Sequence, residues 1–277
     1  MNVSVIQFGK EWLFVRHRFR EDETRPTLLF LHGLGESGLS FIEAFEADSL
    51  DPFNLVVPDL LGFGRSSPSS SAQYSFECQI DRLWKLIDHF CIQDVRIVGH
   101  SMGGDIGTWL CADDRYGRIQ WFVNVEGNLT PDDLIFSQRV LDEPEKDNFN
   151  AWFYNTFITE QWEEESTWSQ RYVTSLRMCD PEAFKKHAEE MVEKSTPAVS
   201  SNYGKTTGLY LSLRQPCVYC RREGLEDSTQ ALLGLHQESL RVQYFSTESH
   251  WIMIDQPKTF YQFLVDFASD HQTGNSL

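Results

Sequence analysis

Gly99-His100-Ser101-Met102-Gly103 fits the pattern G-x-S-x-G, in which a serine sits at a sharp bend. Val95-Arg96-Ile97-Val98 before it predicts a short buried strand, and Asp105-Ile106-Gly107-Thr108-Trp109-Leu110-Cys111 after it predicts a helix. A strand that turns directly into a helix leaves the serine hydroxyl in the open. It also aims backbone N–H groups and the positive helix N-terminus at the same point. Composition alone yields on the order of 0.1 matches to this pattern in such a chain, so the argument must rest on flanks and partners.

The flanks alternate. Val3–Phe8 and Trp12–Phe19 predict an initial strand pair, and Thr27–Leu31 is a continuous apolar run of the kind buried on both faces of a sheet. Leu55–Asp59, Ile119–Val125, Cys217–Cys220 and Val242–Phe245 predict further strands. Ser75 is placed to cap an amphipathic helix carrying Phe76, Ile80, Leu83, Trp84, Ile87 and Cys91 on one face, and Pro257 opens a last helix. Strands alternating with helices imply an α/β fold with a mainly parallel sheet and helices on both faces. In such sheets, sites form beyond the carboxyl ends of the strands. His32, Asp59, His100-Ser101 and Glu126 all fall there.

The stretch from about 129 to 208 breaks the alternation. It predicts helices over Pro131–Val140, Phe149–Phe157, Glu163–Met178 and Pro181–Glu193, with no buried strand. Residues 1–128 and 209–277 are therefore expected to form the core, with 129–208 inserted as a helical cap. Of the cap aromatics, Trp152 and Phe153 are candidate substrate contacts, together with Gly33 and Trp251 of the core.

The 277 residues carry a net charge of −17, which argues against nucleic acid or anionic membrane as partners and leaves a small-molecule substrate. A monomer or homodimer is expected. Hydrophobic residues at 41% and charged residues at 23% suit a globular domain with a large core. The N-terminus shows no basic segment followed by an apolar one, and no run is long enough to span a bilayer. The six cysteines are expected to be reduced, mostly buried thiols of a cytoplasmic protein. Cys217 and Cys220 lie three apart on a strand and face opposite sides, so no metal site is expected there.

A serine hydroxyl becomes a nucleophile when a histidine takes its proton and an acid orients that histidine. For a strand–turn–helix serine the histidine comes late in the chain, and His250 in Ser249-His250-Trp251 fits. His32 belongs to a glycine loop, His100 is the variable position of the bend, and His187 lies in the cap. The tetrahedral oxyanion needs two N–H donors, for which Met102 and Leu34 are the candidates. Glu36 and Ser37, beside that loop, either tune the pocket or form a turn. Asp59 is expected to brace its loop.

Taken in order, His32-Gly33-Leu34-Gly35-Glu36-Ser37-Gly38, Pro58-Asp59-Leu60-Leu61-Gly62-Phe63-Gly64-Arg65-Ser66, Gly99–Gly104 and the His250 segment resemble the α/β-hydrolase superfamily across the chain outside the cap. The resemblance implies an eight-stranded sheet, a lid and a Ser–acid–His triad, with no cofactor. The family's usual acid lies in a segment like P-x-x-x-x-x-G-x-x-D. Here that segment is Pro216–Leu225, with Arg222 for the glycine and Leu225 for the aspartate. The acid is then Glu126, one strand earlier, or one of Glu223, Glu226 and Asp227. The implied activity is hydrolysis of a small or medium apolar carboxylic ester, lactone or thioester. The alternatives are a C–C bond hydrolase of ring-cleavage type, which His250-Trp251 resembles and Leu225 opposes, and a ligand-binding protein on a hydrolase fold.

Overall fold

The computed structural model describes residues 1–20, 25–142, 148–163 and 165–271. Eight strands, β1 (Asn2–Phe8), β2 (Glu11–Arg18), β3 (Thr27–Leu31), β4 (Asn54–Pro58), β5 (Val95–His100), β6 (Ile119–Val125), β7 (Cys217–Arg222) and β8 (Arg241–Phe245), form one sheet in the order β1-β2-β4-β3-β5-β6-β7-β8. β2 is antiparallel to both neighbours, and every pairing from β4 to β8 is parallel. Every residue of β3, β4 and β5 is buried, as parallel strands covered on both faces require. The strand that leads into Ser101, β5, therefore lies in the interior of the sheet.

Helix α1 (Phe76–His89) starts where Ser75 Oγ accepts the Cys78 N–H at 3.2 Å. Helix α2 (Met102–Ala112) begins one residue after β5 ends, so Ser101 alone makes the bend. That tight junction needs bare backbone beside it. A Cβ on Gly103 would overlap the Leu31 carbonyl, and one on Gly99 would overlap the backbone of Gly103. Gly103→Ala is expected to destabilise the fold by about 3 kcal/mol, read as a shift in urea midpoint, because neither obstacle is a movable side chain.

Between β6 and β7 the described residues hold helices and no strand: α3 (Ile135–Asp142), α4 (Phe149–Trp152), a π-helical turn (Phe153–Phe157), α5 (Ile158–Glu160), α6 (Thr167–Leu176), α7 (Pro181–Ser195) and α8 (Lys205–Leu211). The helix expected from Pro131 is split into a 3₁₀ turn (Pro131–Asp133) and α3, because Asp133 turns back to accept the Thr130 N–H at 2.9 Å. The one expected from Glu163 starts at Thr167, where Ser166 caps it. Helix α8 runs across the expected boundary at 208 and packs against α2.

The aromatic residues of the helical 129–208 segment mostly pack against one another. Trp152 and Phe153 pack with Phe149, Phe157 and Phe184, and the Phe153 and Phe157 rings stack 5.9 Å apart. Both are buried there and neither lines the cavity beside Ser101, so the expectation that they contact substrate is corrected. Polar ties fasten the α6–α7 part to the core: Arg171 grips Glu43 through both oxygens at 2.6 and 2.8 Å, and Tyr74 Oη donates to Asp180 at 2.6 Å.

All six cysteines are free; Cys111, Cys179 and Cys220 are buried, Cys78 and Cys217 half-buried, and Cys91 exposed, so burial is less general than expected. Among the described residues no helix is long and apolar enough to cross a membrane.

Candidate active site

Ser101 has φ 51° and ψ −122°, a left-handed conformation that costs a non-glycine residue roughly 1–3 kcal/mol. Its N–H is held by Val125 O at 2.9 Å and its carbonyl accepts from Gly104 N–H at 2.7 Å, so the neighbouring strand and helix impose the bend. The strain is the cost of placing a hydroxyl at the head of α2.

Glu126, one residue beyond β6, also has φ 51°. Its N–H donates to Cys220 O at 2.9 Å, which carries the turn to the end of β7. Its Oε2 lies 3.3 Å from His250 Nδ1, and its Oε1 accepts the Arg222 N–H at 2.7 Å. Burial pushes the Glu126 carboxyl upward; hydrogen bonds from His250 and Arg222 and their positive charge outweigh this and hold it below the ordinary carboxylate range. The group is thus an ionised acceptor. His250 is itself shifted downward, chiefly by burial; the hydrogen bond to Glu126 opposes this and His100 adds to it, so its imidazole is less basic than usual. With Nδ1 committed to Glu126, Nε2 remains to take a proton.

Of the other acid candidates, Glu223 and Glu226 are exposed on the surface. Asp227 caps helix α9 (Ser228–Leu235), accepting from Gln230 N–H at 2.8 Å, and pairs with Arg221. None of the three is brought to His250. Arg222, the residue standing where the family has glycine, supplies the backbone N–H that orients Glu126; its guanidinium lies 3.6 Å from the same carboxylate. The sequence offered this residue only as a departure from a pattern.

The glycine loop after β3 is pinned from several sides. His32 Nε2 accepts the Leu60 N–H at 3.0 Å, and Nδ1 faces Gly33 O at 2.9 Å, which fixes the tautomer. Gly33 N–H is spent on Glu36 Oε2 at 3.1 Å. Gly33 itself stands behind the loop, where a Cβ would meet Glu36 and Ser101, rather than on the cavity wall. Among the described residues the Leu34 and Met102 N–H groups have no protein acceptor, Met102 because it opens α2. Asp59 braces the adjoining loop, taking Arg16 at 2.6 Å and the Gly38 and Arg65 N–H groups at 2.7 and 2.8 Å.

A cavity of about 350 Å³ opens over Ser101, Glu126 and His250. Leu34, Leu134, Phe136, Tyr172, Met191 and Trp251 give it apolar walls, so loops at the strand ends and the helical 129–208 segment each contribute part. Trp251 lies on the wall, and Trp168 of α6 stacks on it at 4.4 Å with the rings 7° from parallel. Tyr172 and Phe136 were not singled out from sequence, and Trp168 was so only as one of several aromatics of the 129–208 segment. Nothing in a helical repeat distinguishes an aromatic facing a cavity from one facing the cap's own core.

Residues 26–206 match the sequence model of the alpha/beta hydrolase fold, and the chain belongs to that family. Among curated proteins it is similar to the magnesium-chelatase 30 kDa subunit of Rhodobacter capsulatus, 36% identical over 94 residues, which are 34% of this chain and 33% of that one. It is likewise similar to lipase 1 of Psychrobacter immobilis, 40% identical over 102 residues, 36% of this chain and 32% of the lipase. The chain thus spans about a third of the length of the curated relatives it matches. A solved structure of an N-acyl homoserine lactonase complexed with N-butanoyl homoserine superposes with a TM-score of 0.75, covering 100% of both chains at 18% identity.

Proposed function

We propose that this chain is a serine hydrolase of small, largely apolar carboxylic esters, with lactones and thioesters as the chemically equivalent variants. The observation that carries the reading is the Glu126–His250 contact at 3.3 Å beside a serine strained into a left-handed bend, all three facing one cavity. In this reading Ser101 Oγ attacks the carbonyl carbon while His250 Nε2 takes its proton. Glu126, ionised and buried, stabilises the imidazolium that forms. The oxyanion receives the Leu34 and Met102 N–H groups, backed by the positive end of α2. His250 then returns the proton to the leaving oxygen, which departs as the alcohol, and water repeats the sequence on the acyl-serine. The residues present need no cofactor for these steps.

The 129–208 segment acts in this proposal as a lid that supplies one wall and sets acyl size. Curated similarity to a lipase supports ester chemistry, while a cavity of about 350 Å³ favours a small ester over a long-chain lipid. Nitrophenyl acetate and butyrate are expected to be cleaved with kcat/KM at least about 10-fold above nitrophenyl palmitate, and a fluorophosphonate is expected to label Ser101. Absence of labelling on intact protein overturns the enzyme reading. Turnover of a vinylogous diketone with none of the esters replaces it with the C–C hydrolase.

A further inference from the structure

One buried carboxyl group beside the site has no part in the mechanism above. Asp105 lies in the first turn of α2, the helix headed by Ser101, and is 1% exposed. Burial pushes it well above the ordinary carboxylate range; hydrogen bonds from Asn128 oppose this, and the charge of Asp133 adds to it. An apolar side chain would fill the same space without that penalty, but it would accept no hydrogen bond. Both Asp105 oxygens serve a single residue. Oδ1 accepts the Asn128 N–H at 3.0 Å, and Oδ2 accepts the Asn128 side-chain amide at 2.9 Å. The N–H of Asp105 itself donates to the Ser101 carbonyl at 3.3 Å. One residue therefore joins the bend at Ser101 to the turn that follows Glu126.

That turn is held at each of its residues. Glu126 N–H goes to Cys220 O of β7, Gly127 N–H to Asn124 Oδ1 of β6 at 3.0 Å, and Asn128 N–H to Asp105 of α2. Three successive N–H groups thus reach three different elements. The Gly127 carbonyl in turn accepts the Tyr219 hydroxyl of β7 at 2.7 Å. Asn124 and Tyr219 are as deeply buried as Asp105. No side chain separates the turn from α2: a Cβ on Gly104 would overlap the Gly127 backbone, and one on Gly127 would overlap Asn124 Oδ1.

The restraint bears on Glu126 through its backbone. A left-handed conformation at a glutamate persists only while the surrounding structure over-determines it, and Glu126 has φ 51°. Its carboxylate stands at the end of a long side chain, so a small rotation of the turn is magnified at Oε2, the atom that faces His250 Nδ1. Fixing residues 127 and 128 fixes the direction in which that side chain leaves the main chain.

We propose that Asp105 and Tyr219 are positioning residues: they lock the 126–128 turn onto α2 and β7 and so hold the Glu126 carboxylate against His250. The proposal rests on the reading of Glu126 as the triad acid. Neither residue lines the cavity, so their loss acts on kcat and leaves substrate binding in place.

The test is a double-mutant cycle on the full chain, read as steady-state cleavage of nitrophenyl butyrate. Asp105→Ala is expected to lower kcat by about 30-fold and Tyr219→Phe by about 5-fold, each with KM within about 2-fold of wild type. In a Glu126→Gln background the carboxylate they position is already gone, so each is expected to lower kcat by less than about 2-fold further. A residue that merely supported the fold would lower kcat by the same factor in both backgrounds, and that result overturns the proposal. A wild-type kcat in a folded single variant overturns it for that residue. Tyr219→Phe removes one oxygen and keeps the ring, so the cycle is decided on it even where Asp105→Ala fails to fold. The two possible failures are distinct. Glu126→Gln with wild-type kcat refutes the triad acid and this proposal with it. A large loss in Glu126→Gln, with undiminished factors for Asp105→Ala and Tyr219→Phe on top of it, refutes the positioning role and leaves the triad standing.

Discussion

Glu126→Gln is expected to lower kcat for a nitrophenyl ester by about 10⁴-fold with little change in KM, whereas Glu223→Gln leaves it within about 2-fold. The size of the first effect follows from the hydrogen bonds. Arg222 N–H donates to Oε1 at 2.7 Å, so a glutamine would place its carbonyl oxygen there and turn its NH₂ toward His250 Nδ1, the atom now 3.3 Å from Oε2. Nδ1 must then accept. The ring proton moves to Nε2, the nitrogen that takes the serine proton in the proposed mechanism, and the proposed base is held in the wrong tautomer. Glu223 is exposed and makes no such contact. Steady-state kinetics on the two variants decides the matter; a large loss in Glu223→Gln with none in Glu126→Gln would overturn the assignment.

Ser101→Gly is expected to abolish turnover, by about 10⁶-fold in kcat, and at the same time to stabilise the fold by about 1 kcal/mol. The two effects share a cause. At φ 51° the serine side chain is strained, and glycine adopts that conformation freely. Ser101→Ala removes the same nucleophile but keeps the Cβ, so it should be equally inactive without the gain in stability. Urea unfolding of the two variants beside ester turnover checks both. A Ser101→Gly protein that is inactive yet no more stable than Ser101→Ala would mean the bend is not a reservoir of strain.

Much of this was legible along the chain. The eight strands were legible to within about two residues, because fully buried parallel strands are written as unbroken apolar runs such as Thr27–Leu31. The bend at Ser101 was legible because strand, bend and helix are contiguous.

Two parts were not. Glu126 and His250 are separated by 124 residues, and choosing Glu126 over Glu223, Glu226 and Asp227 depends on which strand end the His250 loop folds against. Pairing of β6 with β7 brings Glu126 to the Arg222 N–H, and that juxtaposition has no local signature. The same holds for Glu36, His100 and Trp251, which come from the loop after β3, the end of β5 and the loop after β8 and meet only in the folded core. The cap posed the other difficulty: helical spacing marks Trp152, Phe153, Trp168 and Tyr172 alike as apolar, and only packing sorted the first two inward and the last two toward the cavity. The sequence by itself determined the sheet, the bend and the identity of its serine, since these rest on periodicity and backbone sterics within a few residues. The tertiary structure alone decided the partner of His250 and the walls of the cavity, since hydrogen bonds and side-chain contacts act between residues near in space, whatever their distance along the chain.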